Sequence, residues 1–413
     1  MSQSAAADPW SMPLDSIDVG DAQLFQDGTW GPYFARLRRD EPVHYTPNPI
    51  FGPFWSVTKY HDIMRVETNP RVFSSDSGYG GITLLDQPTE FRLDMFIAMD
   101  PPRHDEQRKV VSPIVAPGNL ANMAGIIRER AGRILDGLPR GETFDWVELV
   151  SVELTTQMLA TLFDYPYEDR RQLTYWSNVA VCNTRAPDAI VKSEEERFAE
   201  LRNMAVAMTK LWNERVNAPP RYDLISMLAH GESTRNMQPR EFMGNLVLLI
   251  VGGNDTTRNS ISGGLHALMS HPAEYQKLRD NPGLIPSMVP EMIRWQTPLL
   301  YMRRTATADV ELGGKQIKAG DKVAMWYISG NRDPEAIENP DEFIIDRPRP
   351  RQHVSFGFGI HRCVGNRLAE MQLTILWEEI LKRFPVIEPM GEPQRLYSTF
   401  IHGITSLPVR IPA

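Results

Sequence analysis

One cysteine sits in this chain where a metal ligand or nucleophile would be expected. Cys363 falls within H-V-S-F-G-F-G-I-H-R-C-V-G-N-R-L-A-E-M-Q-L. Gly357 and Gly359 permit a tight, sterically open loop. The residues after it read as a long amphipathic helix, so the sulfur lies near a helix N-terminus, where the dipole and unpaired N–H groups stabilise a thiolate. The glycines do not complete G-x-G-x-x-G, and no strand-to-helix unit surrounds them, which excludes a dinucleotide loop. A cysteine taken alone is most often a small buried hydrophobe; the string around Cys363 favours a ligand.

A second constellation is L-V-L-L-I-V-G-G-N-D-T-T-R-N-S, which passes from apolar residues directly into glycines and polar groups. It lies inside an uninterrupted pattern from Arg240 to His271, which predicts a helix of about 30 residues, or ~45 Å, long enough to cross the core. Gly252 and Gly253 weaken such a helix by roughly 1 kcal/mol each relative to alanine, and Asp255 and Thr256 need polar partners when buried. Two readings of the residues remain open. Either the glycines admit a flat ligand while Asp255 and Thr256 handle protons or bound oxygen, or the segment is a helix break with a local threonine cap.

The surrounding elements are mainly helical. Most of the interval from Pro117 to Pro290 reads as helices separated by proline-rich or polar breaks. Val43 to Thr58 and Arg303 to Trp326 carry turn residues between short apolar runs and predict a small sheet. No repeat or Gly/Ser linker divides the chain, so the expected organisation is a disordered tail over 1–20 and a single domain over 21–413. A net charge of -8 argues against wholesale binding to nucleic acid or anionic membrane. The most apolar run, Leu246 to Val251, falls far short of the ~20 residues of a membrane span. The N-terminal residues lack the pattern of a signal peptide, and two cysteines are too few for a disulfide framework. These features fit a cytoplasmic protein.

F-G-F-G-I-H-R-C-V-G resembles the haem-binding loop of cytochromes P-450, with further strings in the same order along nearly the whole chain. V-G-G-N-D-T-T-R-N-S and the stretch from Glu291 to Phe384 resemble bacterial terminal hydroxylases of alkanes and fatty acids. The resemblance implies a mainly α fold with a small β subdomain and a long central helix over haem b. Cys363 would be the axial ligand, within a loop that includes Phe356 and Gly365. Glu291 and Arg294 of E-M-I-R, joined by Arg347, would form a buried clamp with a folding role. His104, Arg108, His361 and Arg304 would hold the propionates, with Arg303 as the alternative to Arg304 because strand neighbours point to opposite sides. Gly252 and Gly253 would lie against the haem. Thr256 would hydrogen-bond iron-bound oxygen and Asp255 would relay protons.

The resemblance further implies a substrate pocket formed by the loop from Tyr79 to Met95, by Leu248, Leu249, Leu299, Leu300 and Met302, and by Phe400 with Ile401. A medium-chain alkane or fatty acid would lie there end-on. One departure is that Leu300 and Tyr301 follow T-P-L, where close relatives would have a smaller residue and a histidine. Electrons would come from an iron-sulfur ferredoxin and its NAD(P)H-dependent reductase, since the chain has no flavin, nicotinamide or ferredoxin motif. Lys109, Arg349, Arg351, Arg362 and Arg367 would supply a basic docking face. A dioxygen-dependent monooxygenase is the leading expectation; a peroxide-using or rearranging haem-thiolate enzyme and a non-enzymatic haem sensor are the competing classes.

Overall fold

Helix Pro239–Ser270 runs for 32 residues and is the axis of the computed structural model, which describes residues 8–413. Proline at its first turn sacrifices no hydrogen bond, because the leading N–H groups have no intrahelical partner. Helices Glu153–Phe163, Arg171–Val181, Glu194–Val216 and Ile285–Gln296 pack around it. Its buried face carries Leu246, Ile250, Ile261, Leu265 and Leu268 into one extended apolar core. Burial of that face, rather than helix propensity, holds a segment with two central glycines in helical form.

The two expected strand regions join a single five-stranded sheet. Val43–Asn48 and Gly52–Val57 form an antiparallel hairpin, and the second strand runs parallel to Lys322–Trp326. That strand pairs antiparallel with Tyr301–Ala306, in the register Arg304 opposite Val323, and Phe73–Ser74 closes the edge. The sheet therefore fixes which way Arg303 and Arg304 point. Helix Asn366–Arg383, predicted after the cysteine loop, packs against Pro117–Asp136 and Ile285–Gln296.

The expected tail over 1–20 is too long. Residues 1–7 lie outside the described residues, but Ile17 and Val19 are fully buried and pack with Phe25, Phe34 and Trp326. The apolar residues Trp10, Met12, Leu14, Ile17 and Val19 are interrupted by prolines and acids and follow no single period, so they do not read as core. Among the described residues no single helix is long and apolar enough to cross a membrane.

Two buried histidines give the fold an acid limit. Burial pushes His353 down to about 3 and His402 down to about 4. His353 accepts a hydrogen bond from the Ser355 N–H, and His402 donates to the Gln296 carbonyl, so both are held neutral. In the unfolded chain each gains a proton below about pH 6.5, so the fold keeps its stability above that pH and loses it as pH falls towards 4. The two together are expected to steepen the loss to about 3 kcal/mol per pH unit below about pH 6. Denaturant unfolding at pH 7.5 and 5.5 measures this, and His402→Asn, which keeps a donor to Gln296 and cannot titrate, should remove about half of the slope.

Candidate functional site

A cavity of about 510 Å³ lies between the central helix, the Cys363 loop and the sheet. Gly357 and Gly359 both have a φ of 64°, a left-handed conformation that favours glycine. A Cβ at Gly359 would overlap the Glu67 carbonyl oxygen, so this glycine also permits the loop to pass close to helix Tyr60–Glu67. The Cys363 N–H donates to the Phe356 carbonyl at 2.8 Å and closes the loop. Gly365 caps helix Asn366–Arg383, and Cys363, Phe356 and Gly365 all face the cavity.

Cys363 is exposed to the cavity. The surrounding protein pushes its thiol up, while the N–H groups of Gly365 and Asn366 at the helix N-terminus and the charges of Arg108 and Arg362 pull it down. Coordination to a metal ion would remove the thiol proton outright.

Next to the loop, the His104 and His361 rings lie 4.2 Å apart, centre to centre. His104 Nε2 and His361 Nδ1 are both buried with no hydrogen-bond partner. Buried polar atoms without partners are costly, and two converging on one cavity wall mark a place where a polar ligand belongs. Arg108 and Arg304 line the same cavity. Four cationic or donor side chains beside a cysteine sulfur fit a macrocycle with two carboxylates and a central metal. Burial pushes His361 down to about 2, and the charges of Arg304, His104 and Arg108 add to this.

The choice between Arg303 and Arg304 is settled by strand alternation. Arg303 donates to Asp86 at 2.6 Å and to the Tyr79 carbonyl at 2.8 Å, on the other side of the strand from the cavity. Arg304 faces the cavity, and its Nη2 donates to Glu67 at 2.9 Å. Glu67 and Ser75 are functional residues that motif reasoning missed. The fully buried Tyr327 hydroxyl also donates to Glu67, so one carboxylate fixes Arg304 from behind. Ser75 Oγ meets His361 Nε2 at 2.9 Å and orients the ring. No short motif surrounds either residue, and only the fold brings them to the site.

On the opposite wall the central helix presents Leu248, Leu249, Gly252, Thr256 and Ser260. Leu249, Gly252, Thr256 and Ser260 are three or four apart, along one face of the helix, and Leu248 borders it. Thr256 Oγ1 donates to the Gly252 carbonyl at 3.1 Å. A Cβ at Gly252 would meet no atom within 4 Å, so this position opens onto the cavity. Gly253 lines the cavity too, but a Cβ there would come within 2.8 Å of Leu159, so its lack of a side chain serves helix packing rather than ligand approach alone.

Two expected site residues are placed differently. Asp255 is fully buried, hydrogen-bonded to Ser177 and ion-paired with Arg258, and does not line the cavity. Asp255 is turned into the helix packing by Ser177 and Arg258, whereas Thr256 next to it faces the cavity. Leu300 is also fully buried, against Phe34 and Trp326, and is not part of the pocket. Leu299 pairs with Ile401 across an antiparallel bridge, which sets those two on the cavity and Leu300 behind them. Met302, Phe400 and the 79–95 loop contribute lining as expected, and Tyr301 joins them, its hydroxyl accepting from the Leu84 N–H at 2.9 Å.

The clamp forms as expected. Arg294 donates twice to Glu291 at 2.7 Å, and Arg347 Nε donates to it at 3.0 Å. Glu291 and Arg294 have no exposed side-chain surface. Burial raises the Glu291 carboxyl, but the Arg294 bonds, the Ile344 N–H and Arg347 together leave it below its ordinary value.

Comparison with known proteins agrees with this geometry. The family model described as Cytochrome P450 matches residues 283–411. Linalool 8-monooxygenase of Pseudomonas putida is 37% identical over 408 residues, covering 96% of this chain and 99% of that protein. Methyl-branched lipid omega-hydroxylase of Mycobacterium tuberculosis is 34% identical over 419 residues, covering 97% of this chain and 96% of that protein. The solved structure of cytochrome P450-153 from Novosphingobium aromaticivorans superposes with a TM-score of 0.91 at 47% identity, covering 98% of this chain and 100% of that one. A cysteine sulfur facing four donors for two carboxylates, on a fold shared along nearly its whole length with these proteins, places this chain in the cytochrome P450 family of haem-thiolate monooxygenases.

Proposed function

We propose that this P450 hydroxylates the terminal carbon of a medium-chain alkane or fatty acid, using dioxygen and electrons from an iron-sulfur ferredoxin and its NAD(P)H-dependent reductase. The observation that carries this reading is the apolar wall of Leu248, Leu249, Leu299, Met302 and Phe400 in the cavity that Cys363 and Thr256 face. Such a wall offers an alkyl chain no hydrogen bonds and selects by shape. The omega-hydroxylase among the relatives supports action at a chain end.

Bound haem supplies an iron at which dioxygen is activated, and electron donation from the Cys363 sulfur favours O–O cleavage. Thr256 is the hydroxyl placed to hydrogen-bond a ligand in the cavity. Asp255 stands behind it as a buried carboxylate tied to Ser177 and Arg258, and it must exchange its Arg258 partner before a proton can pass towards the cavity. The apolar walls exclude water and restrict which carbon approaches, which is the larger part of what the protein contributes. Thr256→Ala is expected to lower product formation by about a hundredfold, at the low end of what a positioned proton donor contributes, while Thr256→Ser keeps most of it. The ratio of product to NAD(P)H consumed is the measurement.

Lys109, Arg349, Arg362 and Arg367 are exposed and make no ion pair among the described residues, and they suit an acidic ferredoxin; Arg351 is exposed but held by Glu370 at 2.6 Å. The function itself is tested by ferredoxin-supported turnover of dodecane and dodecanoic acid with product analysis by mass spectrometry. The terminal alcohol is the expected main product. Predominantly in-chain alcohols would overturn the terminal assignment.

A further inference from the structure

We propose that Arg92 and Arg185 form an anion-binding mouth to the cavity, which takes the carboxylate of a fatty acid and leaves its far end to reach the Cys363 side. The inference rests on the terminal-hydroxylation reading and deepens it by choosing between its two substrate classes.

The charged residues of the cavity wall fall into two groups. His104, Arg108, Arg304 and His361 cluster at the cysteine loop, where they are assigned to the propionates. Arg92, Arg185 and Arg197 lie on other segments. The Phe91 and Phe198 rings, next to Arg92 and Arg197, stand 5.6 Å apart and join the 79–95 loop to helix Glu194–Val216. Arg197 also donates to the Cys182 carbonyl, which ties in the segment that carries Arg185. These contacts bring the three segments that carry Arg92, Arg185 and Arg197 together on one side of the cavity.

Protein groups satisfy only part of this charge. Among the described residues that line the cavity, Glu194 is the sole carboxylate, and Arg197 takes it at 2.6 Å. Arg92 uses its Nε on the Gln87 carbonyl at 3.1 Å and makes no ion pair. Among the described residues the Arg185 guanidinium has no hydrogen bond or ion pair, and it is exposed at the rim. Arg197 Nε is buried without a partner among the described residues. Two cations without ion pairs, with an orphaned N–H donor on a neighbouring segment, make a site for a small planar anion.

A guanidinium fork matches a carboxylate in shape as well as charge. The rest of the wall is largely apolar, so the anion that fits carries an alkyl tail. Held at the mouth, such a molecule extends along Phe91, Leu93 and Leu248 towards Thr256. The carbon it presents there is its last one.

The test measures binding to the haem-loaded enzyme through the substrate-induced spin shift, at pH 8, with dodecanoic acid and its uncharged methyl ester. The wild type is expected to bind the acid about tenfold more tightly than the ester. The double variant Arg92→Gln, Arg185→Gln is expected to weaken the acid by about tenfold and move the ester by less than about twofold. Added salt should weaken only the acid in the wild type. Equal affinity for acid and ester in the wild type overturns the mouth, as does a variant that weakens both alike. Product analysis of the ester separates the two claims: a terminal alcohol with equal affinities removes the anchor alone, and in-chain alcohols with acid-selective binding remove the terminal reading alone.

Discussion

Cys363→Ala is expected to lower substrate oxidation by at least about a thousandfold, equivalent to ~4 kcal/mol of lost transition-state stabilisation, while the fold survives. The effect is large because the sulfur is the only group on this wall that donates electron density to the iron. The fold survives because the loop is held by main chain: the bond from residue 363 to the Phe356 carbonyl and the turns at Gly357 and Gly359 do not use the side chain. Alanine is smaller than cysteine and meets nothing new. Some haem should remain bound through His104, His361, Arg108 and Arg304, so the variant can be studied spectroscopically. The expected signature is loss of the thiolate-specific absorption of the ferrous carbon monoxide complex at unchanged secondary structure by circular dichroism. Retention of that band would show that Cys363 is not the ligand.

The sequence made some parts of this site legible and hid others for physical reasons. The cysteine loop, the clamp and the central helix could be read because their residues are close in sequence and each obeys a local rule: glycines at a turn, an acid and base three apart, an unbroken apolar period. The sheet was legible from its turns, and strand alternation correctly required that only one of Arg303 and Arg304 face inward. The contact of Asp255 with Ser177 was not legible, because Ser177 lies on a different helix and only the packing brings the two together. Leu300 could not be placed, because which member of a Leu-Leu pair faces a cavity depends on its bridge partner a hundred residues away. Glu67, Ser75 and Arg92 carry no motif. Each acts through a contact made in three dimensions, Glu67 with Arg304, Ser75 with His361 and the Arg92 loop with Phe198.

Glu291→Gln is expected to destabilise the protein by about 3–5 kcal/mol and to release haem, the usual consequence of removing one partner from a fully buried ion cluster. The glutamine keeps the size of the side chain but leaves two guanidinium groups facing a neutral amide with no water to take their charge. The damage then has a route to the cofactor. Arg294 donates to the carbonyls of Asn331 and Pro340 at 2.8 Å and to that of Glu342 at 3.0 Å, holding the segment that leads to the cysteine loop. Asn331 in turn accepts from the Val354 N–H at 2.8 Å and donates to Ser355 at 2.7 Å, immediately before Phe356. Freeing Arg294 therefore loosens the residues that position Cys363. Arg294→Lys should fail nearly as badly, because an ammonium cannot make the paired bonds to Glu291 and the three carbonyl bonds together. Arg351→Gln provides the contrast: its exposed pair with Glu370 is expected to contribute less than about 1 kcal/mol, despite a 2.6 Å separation. Guanidinium unfolding with haem absorbance followed in the same samples tests both. Wild-type unfolding and full haem retention in Glu291→Gln would mean that the cysteine loop holds its shape without the clamp.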